Sequence, residues 1–112
     1  MIFSVSDHVE QIKAGTKTQT RRKSPAYRVG KTYAIQPGRT EKGIKEGRIL
    51  VTRKREEKYL DGGISVVDAL AEGGYTPGQF ETLFSNMYPG WIVRYAYTFE
   101  FVPRNQYRSM EL

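Results

Sequence analysis

The stretch "KAGTKTQTRRKSPAYRVGK" (residues 13–31) carries seven Lys or Arg residues and no acid. Its first half decides the fold. Gly15 is placed to end a helix, and "TKTQTRR" behind it is rich in β-branched residues, so a strand leaves the helix end directly. Upstream, "MIFSV" reads as a short opening strand. "SDHVEQIKAG" reads as the helix, with Ser6 or Asp7 as cap, Asp7 and Glu10 as a capping box, and Val9 and Ile12 as a narrow apolar stripe.

Downstream, "SPAYRVGK" is a connector and "KTYAIQPG" a second strand, closed by a turn at Pro37 and Gly38. "RTEKGIKEG" is a loop or hairpin tip. "RILVTRKREEKYL" is a long strand with Ile49 and Val51 inward and its charges outward, so that "RKREEK" (53–58) forms a solvated face. After the "DGG" break, "ISVVDALAEGG" is a short helix with Ser65 and Asp68 as capping pair and Gly73–Gly74 as stop. "YTPGQFETLFSNMYPG" starts a third helix on Thr76, Pro77 and Gln79, and Phe80, Leu83, Phe84 and Met87 make a core stripe at i, i+3, i+4 and i+7. In "IVRYAYTFEFV", Val93, Tyr95, Tyr97, Phe99 and Phe101 share one strand face. The pattern predicts an α+β domain over 1–103: a mixed or antiparallel sheet of five or six strands with two or three short helices. Such a sheet in so small a domain removes its edges by curling into a barrel. "PRNQYRSMEL" reads as a loose tail, with residues 104–112 outside the domain.

A chain of 112 residues, 38% hydrophobic and 12% aromatic, suffices for one modest core. No apolar run approaches the roughly 20 residues that span a bilayer, and residues 1–20 lack a signal-peptide pattern. With no cysteine there is no disulfide, thiolate nucleophile or thiolate metal site. A cytoplasmic protein without membrane partner is expected. The net charge of +6 suits a polyanionic partner, most simply nucleic acid.

His8 is the single histidine, beside a helix start, where a surface or capping role is expected. No clustered acidic spacing suggests a metal, and no glycine-rich phosphate cradle occurs, so neither metal nor cofactor is expected. What remains is lysine and hydroxyl chemistry. Lys17 stands among Lys13, Arg21, Arg22 and Lys23, a setting that lowers a lysine pKa and suits it to act as a base. Thr18 and Thr20 supply hydroxyls, and Glu72 is a candidate carboxylate. On a regular strand Lys17 and Thr20 point to opposite faces. They converge only if the turn after Gly15 rotates Lys17 out of register.

"IKAGTKTQTRR" resembles the signature of the ASCH domain family, a branch of the PUA-like barrels: a helix ending in glycine, then lysine, a threonine pair and arginine. The likeness continues in "YRVGKTYAIQPG", in "ISVVDALAEGGYTPGQFETLFSNMYPGW" and in the closing aromatic strand, covering residues 2–103. Small bacterial members of that family hydrolyse the acetamide of N(4)-acetylcytidine. The resemblance implies Thr20 as nucleophile, Lys17 as its general base and Glu72 assisting proton transfer. Arg22 would contact a phosphate or brace Glu72. A glycine-rich turn could hold the developing oxyanion on backbone amides.

The alternative is a non-catalytic RNA-binding or single-stranded nucleic-acid-binding module. Lys13, Arg21, Arg22, Lys23, Arg28 and Lys31 would then contact phosphates, and Tyr27, Tyr88 or Trp91 would stack on an unpaired base. Ribonuclease activity, with lysine as base, ranks third. On either of the first two readings the partner is RNA or a modified nucleoside. Oligomeric state is not legible.

Overall fold

The long C-terminal strand organises the sheet. In the computed structural model, which describes residues 1–58 and 63–106, the chain order is α1 (His8–Ala14), β1 (Gln19–Arg22), β2 (Thr32–Ala34), β3 (Gly47–Lys58), α2 (Val66–Gly73), α3 (Pro77–Met87) and β4 (Val93–Pro103). The four strands form one antiparallel sheet in the order β1-β4-β3-β2. "MIFSV" adds only a parallel bridge of Ile2 to Gln36 beside β2, secured by Phe3 N–H on the Gln36 carbonyl at 2.7 Å and Gln36 N–H on Met1 at 2.9 Å. From there α1 crosses to β1 on the opposite edge, so the sheet curls and closes over a core of Met1, Phe3, Ile12, Ile35, Ile49 and Phe99. The α+β half-barrel agrees with the expected class. Four strands stand where five or six were expected, because the opening segment is held by one bridge.

The helix ends follow their local chemistry. Gly15 closes α1 in the left-handed region at φ 81° and donates to Gln11 and Ile12. Thr76 and Gln79 form the expected capping box with Pro77 at the helix start, and Ser65 accepts from the Asp68 N–H. The box expected at α1 does not form. Asp7 adopts φ 76°, and its side chain makes no capping bond. Phe80 and Phe84 join Ile64 and Ala69 in a second core under α2 and α3, whereas Leu83 is half-buried and Met87 exposed.

A single-residue bulge positions the site. β3 pairs Val51 with Phe99 but Arg53 with Thr98, so Thr52 is the extra residue. Before it, Ile49 and Val51 face the barrel. Beyond it, the alternation is inverted, and Arg53, Arg55 and Glu57 turn to the face under α2 and α3 while Lys54 lies opposite Tyr97. The expected outward face of 53–58 is therefore wrong for Glu57, which is half-buried between β1, β4 and α3. The same helices bury Arg94 and Ala96 on β4. The expected aromatic face is thus fully buried only at Tyr97 and Phe99, with Val93, Tyr95 and Phe101 half-buried.

The expected tail begins just after β4, where the Arg104 N–H bonds the Glu46 carbonyl at 2.9 Å. Its residues 107–112, like residues 59–62 of the "KYL" and "DGG" readings, lie outside the described residues.

Gly47 opens β3 against Pro103, and a Cβ there would meet the Val102 carbonyl oxygen at 2.3 Å and the Phe101 ring at 2.7 Å. Gly47→Ala is expected to lower stability by about 1–3 kcal/mol through overpacking. Urea unfolding measures this; an unchanged midpoint would contradict the packing described.

Candidate functional site

The end of α1 turns Lys17 inward. The N–H groups of Thr16 and Lys17 both bond the Gln11 carbonyl, at 2.9 and 3.1 Å, so the chain folds back on the helix before β1 begins. Lys17 therefore lies outside the strand alternation that would have set it against Thr20. Its side chain is 2% exposed. The ammonium donates to the carbonyl oxygens of Gln19 at 2.8 Å and Glu72 at 2.5 Å, and to Glu72 Oε1 at 3.3 Å. Burial pulls its pKa below 10.5, opposed by Glu72 and assisted by Arg22 and Arg21; the net direction is down.

Glu72 sits at the last turn of α2 and is itself buried. Gly73 allows that position: with φ at 152°, a Cβ there would approach Tyr75, His8 Nε2 and Gln11 Oε1 within 2.9–3.2 Å. The Gln11 amide donates to the Gly73 carbonyl at 3.2 Å, and the Thr18 N–H to Ala71 at 2.8 Å, so α1, β1 and the end of α2 are laced together.

From Lys17 an alternating chain of charge crosses the sheet. Glu72 Oε2 accepts from Arg21 at 2.8 Å, and Arg21 also reaches Glu57 at 2.7 Å and Asp68 at 3.2 Å. Glu57 accepts from Arg94 at 2.7 Å, and Arg94 reaches Glu81 at 2.6 Å. Arg55 joins from outside, at 2.5 Å from Asp68. These cations hold Glu57 and Asp68 below their ordinary pKa values against the opposing effect of burial.

Thr20 is buried on β1, its hydroxyl oxygen accepting from Arg22 Nε at 3.0 Å. Lys17, Thr20 and Glu72 all line one cavity of about 330 Å³. Arg21, Arg22, Arg39 and His8 line it too, and Phe3, Phe80, Leu83, Phe84 and Met87 give it an apolar wall. The sequence reading grouped the first three residues, and the structure places all three on this cavity, with Lys17 bonded to Gln19 and Glu72 and Thr20 to Arg22. It missed His8 and Arg39, for which neither spacing nor composition gave a signal. The helical stripe ending in Leu83 and Met87 was seen but assigned wholly to the core. His8 is no surface cap: it is 7% exposed, and its Nε2 is 2.7 Å from the Tyr75 hydroxyl. Burial, Lys17 and Arg22 lower its pKa to about 4.

The six cations expected to track phosphates are dispersed. Arg21 is spent on carboxylates inside the protein. Lys13 pairs with Glu10 at 2.9 Å, and the Lys23 ammonium lies over the rings of Tyr88 and Trp91 at 5.0 and 4.7 Å. Arg22 lines the cavity and does not brace Glu72; its neighbours are Thr20 and the Phe3 ring, 4.7 Å from the guanidinium. Arg28 and Lys31 are exposed. Tyr27 packs edge-on against Tyr33 and Tyr97, at 5.0 and 5.3 Å, and Trp91 is 42% exposed. Among the described residues no cluster of three or more His, Asp or Glu could hold a metal, and no helix is long and apolar enough to cross a membrane.

The fold so described is that of an ASCH domain. The chain superposes on the ASCH domain from Lactobacillus crispatus JV V101 with a TM-score of 0.71 and 14% identity, covering 90% of this chain and 77% of that one. It is also similar to a protein from Enterococcus faecalis V583 described by the DUF984 family model, with a TM-score of 0.61, 19% identity and coverage of 84% and 69%. No family model and no curated protein matches the sequence.

Two measurements test the site's electrostatics. Glu72→Ala leaves the buried Lys17 ammonium without its carboxylate and takes one of three from Arg21, and is expected to destabilise the fold by about 3–5 kcal/mol, with Glu72→Gln milder. A loss under 1 kcal/mol in urea unfolding, on the order of an exposed pair, would contradict the buried pairing. His8 binds its proton more weakly in the folded chain than in the unfolded one, so folding is penalised wherever the unfolded chain is protonated first. Stability is therefore expected to fall by roughly 1.4 kcal/mol per pH unit as pH drops from 6.5 towards about 4. His8→Gln should flatten that segment; an unchanged slope would contradict the assignment.

Proposed function

We propose that the cavity binds a single modified nucleoside and hydrolyses an amide on its base, with N(4)-acetylcytidine as the most concrete substrate. The observation that carries this reading is the meeting of Lys17 and Thr20, from the lead-in and first strand, with Glu72, from the end of α2, on one cavity of about 330 Å³. That volume lies at the small end of the roughly 300–1,000 Å³ typical of small-molecule sites, which suits a nucleoside and not a strand. The dispersal of the six cations favours the same choice over an RNA-tracking module, which would need them along one groove.

Thr20 Oγ1 attacks the acetamide carbonyl carbon while Lys17, as neutral amine, takes the hydroxyl proton. Burial and the neighbouring guanidiniums favour that neutral form. The tetrahedral intermediate collapses, the C–N bond breaks, and the proton returns from Lys17 to the departing 4-amino nitrogen. The acetyl group remains as a Thr20 ester. Lys17 then activates water, which attacks the ester carbonyl, releases acetate and restores the hydroxyl. Glu72 accepts from the ammonium between these steps and steadies it.

Purified protein incubated with N(4)-acetylcytidine should release cytidine, read by chromatography. Thr20→Val should lose activity on the order of 10³-fold or more with the fold retained, while Thr20→Ser keeps part of it. The rate should climb with pH and level off below 10.5, since the base works unprotonated and its pKa lies under the ordinary value. Full activity in Thr20→Val would sink the reading.

A further inference from the structure

The cavity carries positive charge that attack on a neutral nucleoside does not use. Every carboxylate of the buried chain has a cation already: Glu72 has Lys17 and Arg21, Asp68 has Arg21 and Arg55, Glu57 has Arg21, Arg55 and Arg94, and Glu81 has Arg94. Arg22 stands apart from them. One residue along β1 from Arg21, its side chain leaves the opposite face of the strand. Among the described residues it has no carboxylate partner. Nε holds Thr20 at 3.0 Å and the guanidinium lies over Phe3, so Nη1 and Nη2 have no protein acceptor there.

Arg39, exposed in the turn after β2, is a second cavity cation without a carboxylate partner among the described residues. On the cavity wall, His8 has its pKa lowered to about 4, first by burial and then by the charges of Lys17 and Arg22. A guanidinium with two free donors is a planar fork for carboxylate or phosphate oxygens. The apolar wall of Phe3, Phe80, Leu83, Phe84 and Met87 suits a flat, weakly polar body beside that anion.

We propose that the ligand of this cavity carries an anionic group, phosphate or carboxylate, held by Arg22 and Arg39. In taking the rest of the ligand to be an acylated pyrimidine nucleoside, this rests on the reading of the preceding subsection. The anion has two possible sources: a 5′-phosphate on the sugar, or a carboxylate ending the acyl arm.

The test compares kcat/KM for N(4)-acetylcytidine, its 5′-monophosphate and N(4)-succinylcytidine in the wild type, Arg22→Gln and Arg39→Gln. At least one anionic substrate is expected to exceed the neutral nucleoside by about tenfold or more at low salt. Whichever does so identifies the source. That preference, taken as a ratio within each protein, should shrink towards one in both variants and in high salt. Equal or better use of the neutral nucleoside, or a preference that survives both substitutions, overturns the proposal while leaving the hydrolysis reading intact. If none of the three is hydrolysed, the hydrolysis reading fails and the anion site is judged alone with inorganic phosphate and succinate. A Tm raised by either anion in the wild type but not in Arg22→Gln or Arg39→Gln upholds it, and the absence of any shift overturns it.

Discussion

The contact between the Lys17 ammonium and Glu72 is the constraint on which the remaining structure depends. A lysine that is 2% exposed must replace its lost hydration with acceptors, or burial would penalise the charged form by several kcal/mol. Three oxygens within 3.3 Å do so, two of them from Glu72. Because one of these is the Glu72 main-chain carbonyl, the bond fixes the backbone at the end of α2 as well as a side chain. The helical layer is thereby pinned to the lead-in of β1, and the cavity between them has a defined floor.

Beyond that floor, the layer between sheet and helices is ionic where a hydrophobic seam would be usual. Glu57 on β3 joins Arg21 on β1 and Arg94 on β4, and Asp68, Glu72 and Glu81 descend from the helices to meet the two arginines. Such a layer stabilises little against a well-packed apolar one, but it sets orientation, since each forked guanidinium accepts few geometries. It also sets the charge around the cavity. The carboxylates beneath the cavity are occupied, so Lys17 keeps only a shared hold on Glu72, while Arg22 acts on Thr20 and leaves the cavity electropositive.

Much of this was legible where local chemistry decides the outcome. The box on Thr76 and Gln79, the stop at Gly15 and the inward Ile49 and Val51 follow from capping, left-handed backbone and strand alternation. Lys17 and Thr20 were paired through the resemblance of "IKAGTKTQTRR" to a known signature, and Glu72, some fifty residues on, was joined to them by that resemblance alone, since no spacing marks it. The bulge at Thr52 was not legible, because no residue type there demands it, and with it went the inversion that buries Glu57. Arg21 was misread for the related reason that charge in a sequence is not marked as paired or free. Asp7 misled because a good capping residue adopts a left-handed backbone in which its side chain caps nothing.

An acyl ester on Thr20 is the most direct trace the account leaves. Protein mixed with N(4)-acetylcytidine, quenched in acid during the first turnover and digested, can be sequenced by mass spectrometry. One acetyl group on Thr20, absent from Thr18 and from Lys17, is the predicted result. Turnover accompanied by acetyl on Lys17, or by no acylated residue at all, would contradict it.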